Sequence, residues 1–460
     1  MNLFDYVSSI KDKKITVIGA GVSNMPLIKL LLMCGCDVTV RDKRSIGKMG
    51  MEAFELINQG AKLRLGEDYL EDLTGDVIFR TPGLMPFDEH LVKAQEQGSI
   101  VTSEMEVFFA VCPCRTIAVT GSDGKTTTST IIAELLTAAG KRVHLGGNIG
   151  TPLLCETAEM FKTDYAVLEL SSFQLHSMHC RPDVAVITNI SPNHLDKHKD
   201  YQDYVDAKMS IFINQNENDR LILTADDGHT EDYRQHAKSE VSFFTDKGEV
   251  KNGVIAENGE IFRVRDGEKT KIMDVSEIKL PGEHNVQNYL AAFAAVDGIV
   301  GDEICRHVAR NFSGVEHRLE FVRELNGVKY INDSIGSSPS RTIAGLKAMK
   351  VKPIVIAGGY DKLIAFDTLG DELCLRAKRV ILTGATAKKI KTAVEQSKYF
   401  ADSEIVIEQI DDFKEAVIHA HDVAQSGDIV LLSPACAAFD KFKDFMERGK
   451  FFKETVMELN

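Results

Sequence analysis

A glycine turn followed by a lysine and three threonines supplies residue types that bind phosphate. It lies in TIAVTGSDGKTTTSTIIAELL, where an apolar run leads into a loop and then a helical pattern, and Val119 stands where the usual, longer P-loop has its first glycine. Helix N-terminal N–H groups face an anion, a lysine reaches the terminal phosphates and a hydroxyl binds Mg²⁺. The alternative is a glycine turn that opens an ordinary helix, but the strand, loop and helix order favours phosphate binding. The residues of this phosphate loop are Gly121, Ser122, Asp123, Gly124, Lys125, Thr126 and Thr127.

Polar side chains end two further apolar runs, and both are candidate metal ligands. Glu169 closes the run YAVLE, and His194 follows the run VAVITNI. The carboxyl ends of parallel strands meet at one edge of a sheet, and burying an unpaired carboxylate is costly, so a bound cation would explain Glu169. The alternatives are a strand-end glutamate that faces water and a loop histidine with a structural role.

A lysine interrupts an apolar helical stripe in YQDYVDAKMSIF. Tyr201, Val205 and Phe212 have helical spacing, and Lys208 falls in the gap between them. Desolvation would lower the pKa of such an amine, and a neutral amine reacts with CO₂ to give a carbamate that could ligate a metal. The alternative is a lysine whose stem covers apolar surface while its amine reaches water, and periodicity alone favours that alternative.

Three blocks of alternating strand and helix patterns must position these residues. The first runs from KKITVIGAGVSN to DVIFRTPGL, the second begins near residue 104, and the third contains VKYINDS, KPIVIAGG, RVILTGAT and DIVLLSP. Between about residues 241 and 280, segments punctuated by KNG, ENG and RDG predict an antiparallel patch. The fold class is therefore α/β in three domains. The predicted order is a Rossmann-like N-terminal domain, a central P-loop ATPase-type parallel sheet with the small antiparallel patch, and a Rossmann-like C-terminal domain.

The glycine turn of the first block indicates a second anion site. Gly19 and Gly21 follow an apolar run, and Asp42 stands about where a dinucleotide fold places its ribose-binding acid. The third glycine of the dinucleotide fingerprint is missing. This pattern is weak evidence for NAD and better evidence for an anionic nucleotide part at a helix N-terminus.

Composition excludes several classes of function. The 460 residues carry a formal net charge of −14, which argues against a nucleic-acid partner. The sequence has no apolar run of membrane-spanning length and no visible secretory signal, so we expect a cytoplasmic protein that is not an integral membrane protein. The nine cysteines are scattered and include the C-x-C pairs Cys34/Cys36 and Cys112/Cys114. Reduced, buried thiols are the favoured interpretation, with a zinc site as the alternative.

Taken together, the motifs resemble the Mur ligase family over nearly the whole chain. The resemblance rests on GSDGKTT, GGNIG, ELSSFQL, HLDKH, DAKMSIF, GEHNVQN, EHRLE, NDS and LSPACAAFDKFKDF. Several of these motifs are shared with folylpolyglutamate synthases, whereas SSFQL is similar to the branch that adds D-glutamate. The resemblance implies a UDP-binding domain at 1–103, a central ATP-binding domain at 104–314 and an amino-acid-binding domain at 315–460.

The resemblance also implies a role for each matching residue. ATP would contact the phosphate loop and Asn285, Asn288, Arg318 and Asp333. Two Mg²⁺ ions would be held by Thr126, Glu169, His194 and a carbamylated Lys208, and the catalytic set would add Lys125 and His317. The UDP-linked substrate would contact Gly21, Val22, Ser23, Asn24, Asp42, Lys43, Arg44, Thr81, Pro82, Gly83, Asn148, Ser171 and Gln174. D-Glutamate would contact Lys362, Ala438, Phe439 and Phe445.

The implied activity is an ATP-dependent amide ligation in peptidoglycan precursor synthesis. The carboxylate of UDP-N-acetylmuramoyl-L-alanine would attack the γ-phosphate of ATP, and D-glutamate would displace phosphate from the acyl phosphate. Two Mg²⁺ and Lys125 would neutralise the approaching anions, and the third domain would close to exclude water. A monomer is expected.

This chain departs from the family pattern at three positions. Ile335 replaces a common lysine, Ala438 a common serine, and Asn193 an acidic residue of a common DH pair. Another Mur ligase or a folylpolyglutamate synthase is the nearest alternative function, although SSFQ argues against both and the N-terminal block argues against the folate enzyme. An NAD-dependent oxidoreductase and a P-loop switch protein are alternatives from other classes.

Overall fold

A computed structural model describes residues 1–192, 198–280, 282–361 and 365–460. The chain forms two compact units, Met1–Phe312 and Ser313–Asn460. The first unit contains two β-sheets and the second contains one, each flanked by helices. The predicted α/β class is confirmed. Within the described residues, no helix is both long and apolar enough to span a membrane.

The first sheet has five parallel strands in the order β3-β2-β1-β4-β5. Because the order reverses beside β1, the loop after β1 lies where open α/β sheets bind ligands. This loop contains the glycine turn. The strands are β1 Lys14–Ile18, β2 Asp37–Asp42, β3 Lys62–Leu65, β4 Val77–Phe79 and β5 Ile100–Thr102. The helices are α1 Leu3–Ile10, α2 Met25–Met33, α3 Ile46–Met49, α4 Met51–Asn58, α5 Glu89–Glu96 and α6 Glu104–Val111.

The second sheet has nine strands in the order β14-β13-β12-β11-β10-β9-β6-β8-β7. Its strands are β6 Arg115–Thr120, β7 Val143–Gly147, β8 Tyr165–Glu169, β9 Val184–Ile187, β10 Arg220–Thr224, β11 Glu240–Thr245, β12 Gly253–Glu257, β13 Glu260–Arg265 and β14 Glu268–Asp274. Its α-helices are α7 Lys125–Ala138, α8 Ser172–Leu175, α9 Tyr201–Met209, α10 Thr230–His236, α11 Glu283–Ala295 and α12 Asp302–Asn311. Short 3-10 helices span Cys155–Glu159 and Val275–Glu277.

The predicted antiparallel patch is present but narrower than expected. Strand β13 pairs antiparallel with β12 and with β14, whereas β11 pairs parallel with both of its neighbours, β10 and β12. The ENG and RDG motifs form two-residue hairpin turns in which Asn258, Gly259, Asp266 and Gly267 all have positive φ. The KNG motif, residues 251–253, instead ends at the first residue of β12. Because β12 pairs parallel with β11, this motif forms no hairpin turn.

Two helices pack against the central sheet and position the phosphate loop. Most apolar residues of α7 and the second half of α11 are buried in one core with the sheet. A helix buried on all sides is fixed in place by packing more than by its own propensity. The packing of α11 against α7 brings Asn288 beside Gly124 at the start of α7.

The third sheet, in the second unit, has six strands in the order β15-β16-β20-β17-β18-β19. Among the described strands of this sheet, β15 and β16 pair antiparallel and the other neighbours pair parallel. The four apolar strands predicted from sequence are β16, β17, β18 and β20, whereas β15 and β19 are half-exposed edge strands without a long apolar run. The strands are β15 Glu320–Leu325, β16 Val328–Asn332, β17 Ile354–Ala357, β18 Arg379–Leu382, β19 Val406–Gln409 and β20 Ile429–Leu432. The helices are α13 Pro339–Ala348, α14 Asp367–Arg376, α15 Ala387–Glu395, α16 Phe413–Asp422 and α17 Phe445–Glu458.

Candidate active site

Close approach of neighbouring chain segments explains both glycines of the phosphate loop. Gly124 has φ +79° at the N-cap of α7, and a Cβ there would overlap the Asn288 Oδ1. A Cβ on Gly121, which has φ +144°, would overlap the Thr188 Oγ1. Glycine is therefore required for conformation and for space at both positions.

Hydrogen bonds fix the shape of the loop. The Lys125 Nζ donates to the carbonyl oxygens of Gly121 and Ser122, both at 2.9 Å. The Ser122 hydroxyl donates to the Ser191 carbonyl at 2.9 Å and lies 2.8 Å from the Tyr204 hydroxyl. The amine of Lys125 is thus held over the turn of the phosphate loop.

Glu169 lies at the end of β8, where its carboxylate faces the first turn of α7. Its side chain is 2% exposed. Its Oε2 accepts a 2.6 Å hydrogen bond from the Thr126 hydroxyl, and its Oε1 accepts a 2.9 Å bond from the Asn148 amide. Among the described residues no lysine, arginine or histidine forms an ion pair with it, although a buried carboxylate ordinarily requires a charged partner. The structure therefore brings Thr126 and Glu169, the residues expected to share one Mg²⁺, together, and it also places Asn148, a predicted contact of the UDP-linked substrate, beside Glu169.

Lys208 is buried beneath the phosphate loop, so the periodicity-based expectation of an amine reaching water is wrong. The residue is 1% exposed, and its Nζ donates to the Gly121 carbonyl at 2.9 Å and the Thr120 hydroxyl at 3.5 Å. The face of the Tyr204 ring lies 4.6 Å from the same nitrogen. The apolar stripe predicted the wrong environment for Lys208 because α9 ends at Met209, before Phe212, and the lysine side chain runs inward below the phosphate loop.

The surroundings of Lys208 favour the neutral amine. Burial is the largest cause and lowers its pKa well below the usual value, and the charge of Lys125 lowers it further. Asp123 and Glu169 oppose this shift but do not cancel it. The fourth predicted metal ligand, His194, and the adjoining Asn193 lie outside the described residues.

Two asparagines at the start of α11 join the loop environment. Asn288 donates from Nδ2 to the Asn285 Oδ1 at 3.0 Å and accepts a 3.3 Å bond from the Thr128 hydroxyl. Both asparagines are 6% exposed. The structure therefore places Asn288 beside Gly124 and joins Asn285 to Asn288, and Thr127 is buried in the first turn of α7.

The glycine turn of the first sheet is tied to Asp42 at the end of β2. The Asp42 carboxylate accepts hydrogen bonds from the Ala20 N–H and the Arg44 N–H, both at 2.8 Å. Burial acts to raise the pKa of Asp42, but the hydrogen bonds of Arg44 and Ala20 outweigh it and lower the pKa. Lys43 between them is exposed. The Asp42 carboxylate therefore stabilises the glycine turn by accepting hydrogen bonds from N–H groups of the protein itself.

Asn24 has a buried acceptor at the same turn. The residue is 1% exposed, and its Nδ2 donates to the carbonyls of Ile18 and Gly19 at 3.0 and 3.1 Å. Within the described residues its Oδ1 has no hydrogen-bond partner. Such an oxygen is costly unless a ligand or water donates to it. The neighbouring predicted contacts Gly21, Val22 and Gly83 are exposed, while Ser23, Thr81 and Pro82 are half-buried.

One pocket of the first unit is lined both by the glycine turn of the first sheet and by residues at and near the second sheet. The polar and charged lining residues that sequence reasoning missed are Arg80, Ser103 and Glu104. The pocket is lined by Ser23, Asn24, Arg80, Pro82, Ser103, Glu104, Met105, Gly147, Pro152 and Gln174. It thus joins predicted UDP contacts to the SSFQ motif. Ser171 and Gln174 form a capping box on α8, in which Gln174 Oε1 accepts from the Ser171 N–H at 2.9 Å.

Two charged residues of the pocket are almost completely buried. Arg80 is 1% exposed and donates to the Ser177 hydroxyl at 2.7 Å and the Phe173 carbonyl at 3.2 Å. Glu104 accepts from the Leu154 N–H at 2.9 Å, and burial raises its pKa to about 7. Arg80 directly follows the apolar strand β4, so the strand-end rule applied to Glu169 would have found it.

In the second unit, the predicted ATP residues cluster at the end of β16. Asp333 is buried and accepts from the Ser433 hydroxyl at 2.7 Å, and burial raises its pKa to about 6. His317 has φ +63° and lies 2.9 Å from the Asn332 amide nitrogen, and burial lowers its pKa. Arg318 is exposed.

The predicted D-glutamate contacts occupy different environments. The Phe445 ring meets the His317 ring edge to face at 6.2 Å, and the Phe445 carbonyl accepts from the Ser334 hydroxyl at 2.8 Å. Ala438 is buried, whereas Phe439 is 63% exposed and contacts Tyr360. Lys362 lies outside the described residues. Sequence reasoning missed Arg448, which is buried and donates to the Ser334 and Cys436 carbonyls at 2.9 and 3.1 Å.

The fold and the phosphate loop are typical of a nucleotide-dependent ligase, and the family comparisons agree with that class. Residues 119–296 match the Mur ligase middle domain, and residues 317–436 match the Mur ligase glutamate ligase domain. The chain belongs to the Mur ligase family. The family predicted from the motifs is confirmed.

Full-length relatives narrow the class to one kind of Mur ligase. The chain is 48% identical over 460 residues to the UDP-N-acetylmuramoylalanine--D-glutamate ligase of Ruminiclostridium cellulolyticum, and the match covers 99% of each chain. It is also 48% identical to the ligase of that name from Acetivibrio thermocellus, covering 99% of this chain and 98% of the relative.

Solved structures support the fold. UDP-N-acetylmuramate-alanine ligase MurC from Thermotoga maritima has a TM-score of 0.57 at 18% identity, covering 97% of this chain and 99% of that chain. The MurF ligase of Thermotoga maritima, solved in complex with ADP, has a TM-score of 0.52 at 16% identity, covering 98% of this chain and 97% of that chain.

Proposed function

We propose that this chain joins D-glutamate to UDP-N-acetylmuramoyl-L-alanine, with conversion of ATP to ADP and phosphate, in peptidoglycan precursor synthesis. The full-length relatives carry the name of this activity. The SSFQ motif, whose Gln174 lines the pocket shared with the first-sheet turn, supports the same branch of the family.

One observation carries the proposal: two lysine amines converge on one carbonyl of the phosphate loop. Lys125 Nζ and Lys208 Nζ each donate to the Gly121 oxygen at 2.9 Å. Two ammonium groups cannot share a carbonyl at this distance without strong repulsion, so one must lose its charge or an anion must lie nearby. A triphosphate over the loop, together with a neutral Lys208, satisfies both conditions.

The donor set at the loop fits Mg²⁺. Glu169 is buried, its hydrogen-bond donors among the described residues are neutral, and Thr126 presents its hydroxyl to that carboxylate at 2.6 Å. Mg²⁺ prefers carboxylate and hydroxyl oxygens and the oxygens of a substrate phosphate. We assign one ion to Thr126 and Glu169 and a second to His194 and carbamylated Lys208. When bound, the ions neutralise charge between the substrate carboxylate and the γ-phosphate.

Carbamylation of Lys208 follows from the burial of its amine. The neutral amine attacks CO₂ to form a C–N bond and releases one proton, which leaves an N-carboxylate on the side chain. The Tyr204 ring and the Gly121 carbonyl hold the nitrogen in place. The product carries a negative charge in place of the neutral amine, and a carboxylate is a suitable Mg²⁺ ligand.

The residues of the chain then perform binding and positioning. The N–H groups of the loop and the Lys125 amine bind the phosphates, and the charge of Lys125 stabilises the γ-phosphoryl group as the substrate carboxylate attacks it. The Asn24 and Gln174 side chains, at one pocket, orient the UDP-linked substrate. The amine of D-glutamate then attacks the acyl phosphate, so that an amide bond forms and phosphate leaves.

The remaining assignments belong to the same proposal. In the second unit, Arg318 and Asp333 would bind ATP, His317 would act near the reacting groups, and Phe445 with Lys362 would bind D-glutamate. The proposed domain limits remain 1–103, 104–314 and 315–460, and we propose a cytoplasmic monomer.

A coupled assay of ADP release tests this function. The purified chain is given ATP, Mg²⁺ and UDP-N-acetylmuramoyl-L-alanine with a panel of D-glutamate, L-glutamate, L-lysine and meso-diaminopimelate. We expect ADP release only with D-glutamate and only when the UDP-linked substrate is present. Turnover with L-lysine or meso-diaminopimelate would assign the chain to another Mur ligase reaction. ATP binding without any dependence on a carboxylate substrate would indicate a nucleotide switch.

A further inference from the structure

Three sulfur atoms converge on one C-x-C pair, away from the residues assigned to ligation. The Cys112 and Cys114 Sγ atoms lie 3.4 Å apart, and the Met160 Sδ lies 3.9 Å from the Cys114 Sγ. Cys114 and Met160 are buried, at 8% and 6% exposed, and Cys112 is partly exposed. The cluster is therefore mostly dry, with one sulfur reachable from solvent.

The fold assembles this cluster from two separate segments. Cys112 and Cys114 lie in the short connection between α6 and β6, and Met160 directly follows the 3-10 helix Cys155–Glu159. Packing of these segments in the core of the first unit brings Met160 to the cysteines across 46 residues of sequence. The convergence is thus tertiary and is not a by-product of adjacent sequence.

The two thiols also contact each other. The Cys112 and Cys114 sulfurs lie within hydrogen-bond distance, with either thiol able to donate, and the Cys114 thiol lies within hydrogen-bond distance of the Met160 sulfur. A thiolate is the form of cysteine that ligates a metal, so binding of an ion requires both thiols to lose their protons.

The donor atoms discriminate between metals. Zinc sites use four ligands drawn from cysteine, histidine and carboxylates. Among the described residues, groups of three or more such ligand atoms within reach of one another occur at only two places, and neither includes Cys112 or Cys114. Two thiolates and a thioether instead suit a soft monovalent ion.

The spacing of the sulfurs agrees with that choice. An ion about 2.3 Å from each of three sulfurs in a trigonal plane requires sulfur separations of about 4 Å. The Cys112–Cys114 separation of 3.4 Å and the Cys114–Met160 separation of 3.9 Å are both near that value.

We propose that Cys112, Cys114 and Met160 form a binding site for a single Cu(I) ion. Binding forms two copper–thiolate bonds and one copper–thioether contact and releases two thiol protons, with no change in oxidation state. Met160 distinguishes this site from an ordinary dithiol, because a thioether adds affinity for Cu(I) and little for zinc.

The chain contains its own control for this proposal. Cys34 and Cys36 form the same C-x-C pattern, and Cys36 is also buried, at 7% exposed. In the described part of the chain, sulfur–sulfur hydrogen bonds occur at Cys112, Cys114 and Met160 and not at Cys34 or Cys36. A dithiol alone would bind equally well at both pairs, whereas the proposed site requires the third sulfur.

The test is a competition titration with Cu(I) under anaerobic conditions. The full-length chain competes with bicinchoninate for Cu(I), and copper transfer is followed by loss of the coloured chelate. We expect one equivalent to bind, an affinity about 100-fold weaker in Cys112→Ser or Cys114→Ser, and about tenfold weaker in Met160→Leu. The control Cys34→Ser/Cys36→Ser should bind like the parent chain.

Two measurements keep the result independent of folding. Thermal unfolding of each variant identifies any that do not fold, and X-ray absorption of the loaded parent chain identifies the ligand atoms directly. A sulfur-only, three-atom shell supports the site. Equal copper retention by the parent and the folded Cys112→Ser/Cys114→Ser variant, or a shell of nitrogen and oxygen, would overturn it. Zn²⁺ binding stronger than Cu(I) binding at these cysteines would also overturn it.

Discussion

The Thr126 hydroxyl donates a 2.6 Å hydrogen bond to the buried carboxylate of Glu169, which joins the first turn of α7 to the end of β8. This pair sets one side of the proposed Mg²⁺–ATP site. Glu169→Gln keeps the size of the side chain and removes its charge. We expect kcat to fall by about 100-fold or more and the Mg²⁺ concentration for half-maximal rate to rise. Steady-state ADP release at varied Mg²⁺ measures both effects.

The control for this change is Glu159→Gln, because Glu159 is an exposed glutamate on a neighbouring segment. Its rate and Mg²⁺ requirement should match those of the parent chain. An unchanged Mg²⁺ requirement in Glu169→Gln would remove Glu169 from the metal site.

Gly124→Ala separates backbone strain from steric overlap at the phosphate loop. Gly124 and Gly140 bound the same helix with φ of +79° and +74°, but only at Gly124 would a Cβ overlap the Asn288 side chain. Alanine at either position should cost about 1–2 kcal/mol of unfolding free energy from the left-handed conformation. Only Gly124→Ala should also weaken ATP binding, by about tenfold or more, because the loop must move.

Isothermal titration with Mg²⁺–ATP and urea unfolding of both variants give the comparison. Equal ATP affinity in Gly124→Ala and Gly140→Ala would show that the nucleotide does not depend on this loop geometry.

Lys208→Ala removes the proposed carbamate. We expect kcat to fall by about 1,000-fold, because a metal ligand and the buried nitrogen are lost together. A short carboxylic acid such as acetate or formate should restore part of the rate, since it can occupy the space of the carbamate carboxylate. The exposed Lys141→Ala variant should retain full activity and show no response to the acid.

A direct spectroscopic measurement accompanies this rescue. The parent chain supplied with ¹³CO₂ should show a carbamate carbon resonance that Lys208→Ala lacks. Full activity of Lys208→Ala would contradict the assignment of a metal ligand at this position.

Glu104→Gln should change the pH dependence of stability. Burial raises the pKa of Glu104 from its ordinary 4.5 to about 7. Below pH 4.5 both the folded and unfolded chains hold the proton, and between 4.5 and 7 the unfolded chain releases it first. The parent chain should therefore lose up to about 3 kcal/mol of unfolding free energy, relative to Glu104→Gln, as pH rises through this window.

Urea unfolding of both chains at pH 5, 6, 7 and 8 gives the difference curve. It should fall from pH 5 to 7 and flatten by pH 8. Parallel stabilities over the whole range would mean that Glu104 ionises freely in the folded chain.

Sequence patterns identified candidate site residues most readily where a motif or a charged side chain lies at the end of an apolar strand. Gly121 to Thr127 were assigned because they follow an apolar strand, and Glu169 because it ends one, at the edge where the loops of a parallel sheet meet. Arg80 meets the same criterion after β4 and was missed because one buried arginine has no motif of its own.

Tertiary packing determines the features that local sequence patterns did not predict. Helical periodicity gave Lys208 an exposed amine, but the helix ends one residue later and the side chain enters the core. The edge strands β15 and β19 lack apolar runs and are defined only by pairing with their neighbours. The contact of Cys114 with Met160 joins residues 46 positions apart, which no local spacing rule reveals.

Oxygen tracing during one round of ligation tests the central claim most directly. The carboxylate of UDP-N-acetylmuramoyl-L-alanine is labelled with ¹⁸O, and the phosphate released with ATP and D-glutamate is analysed by mass spectrometry. Attack of that carboxylate on the γ-phosphate predicts one ¹⁸O in each released phosphate, with no label in ADP. Phosphate free of ¹⁸O would contradict the account.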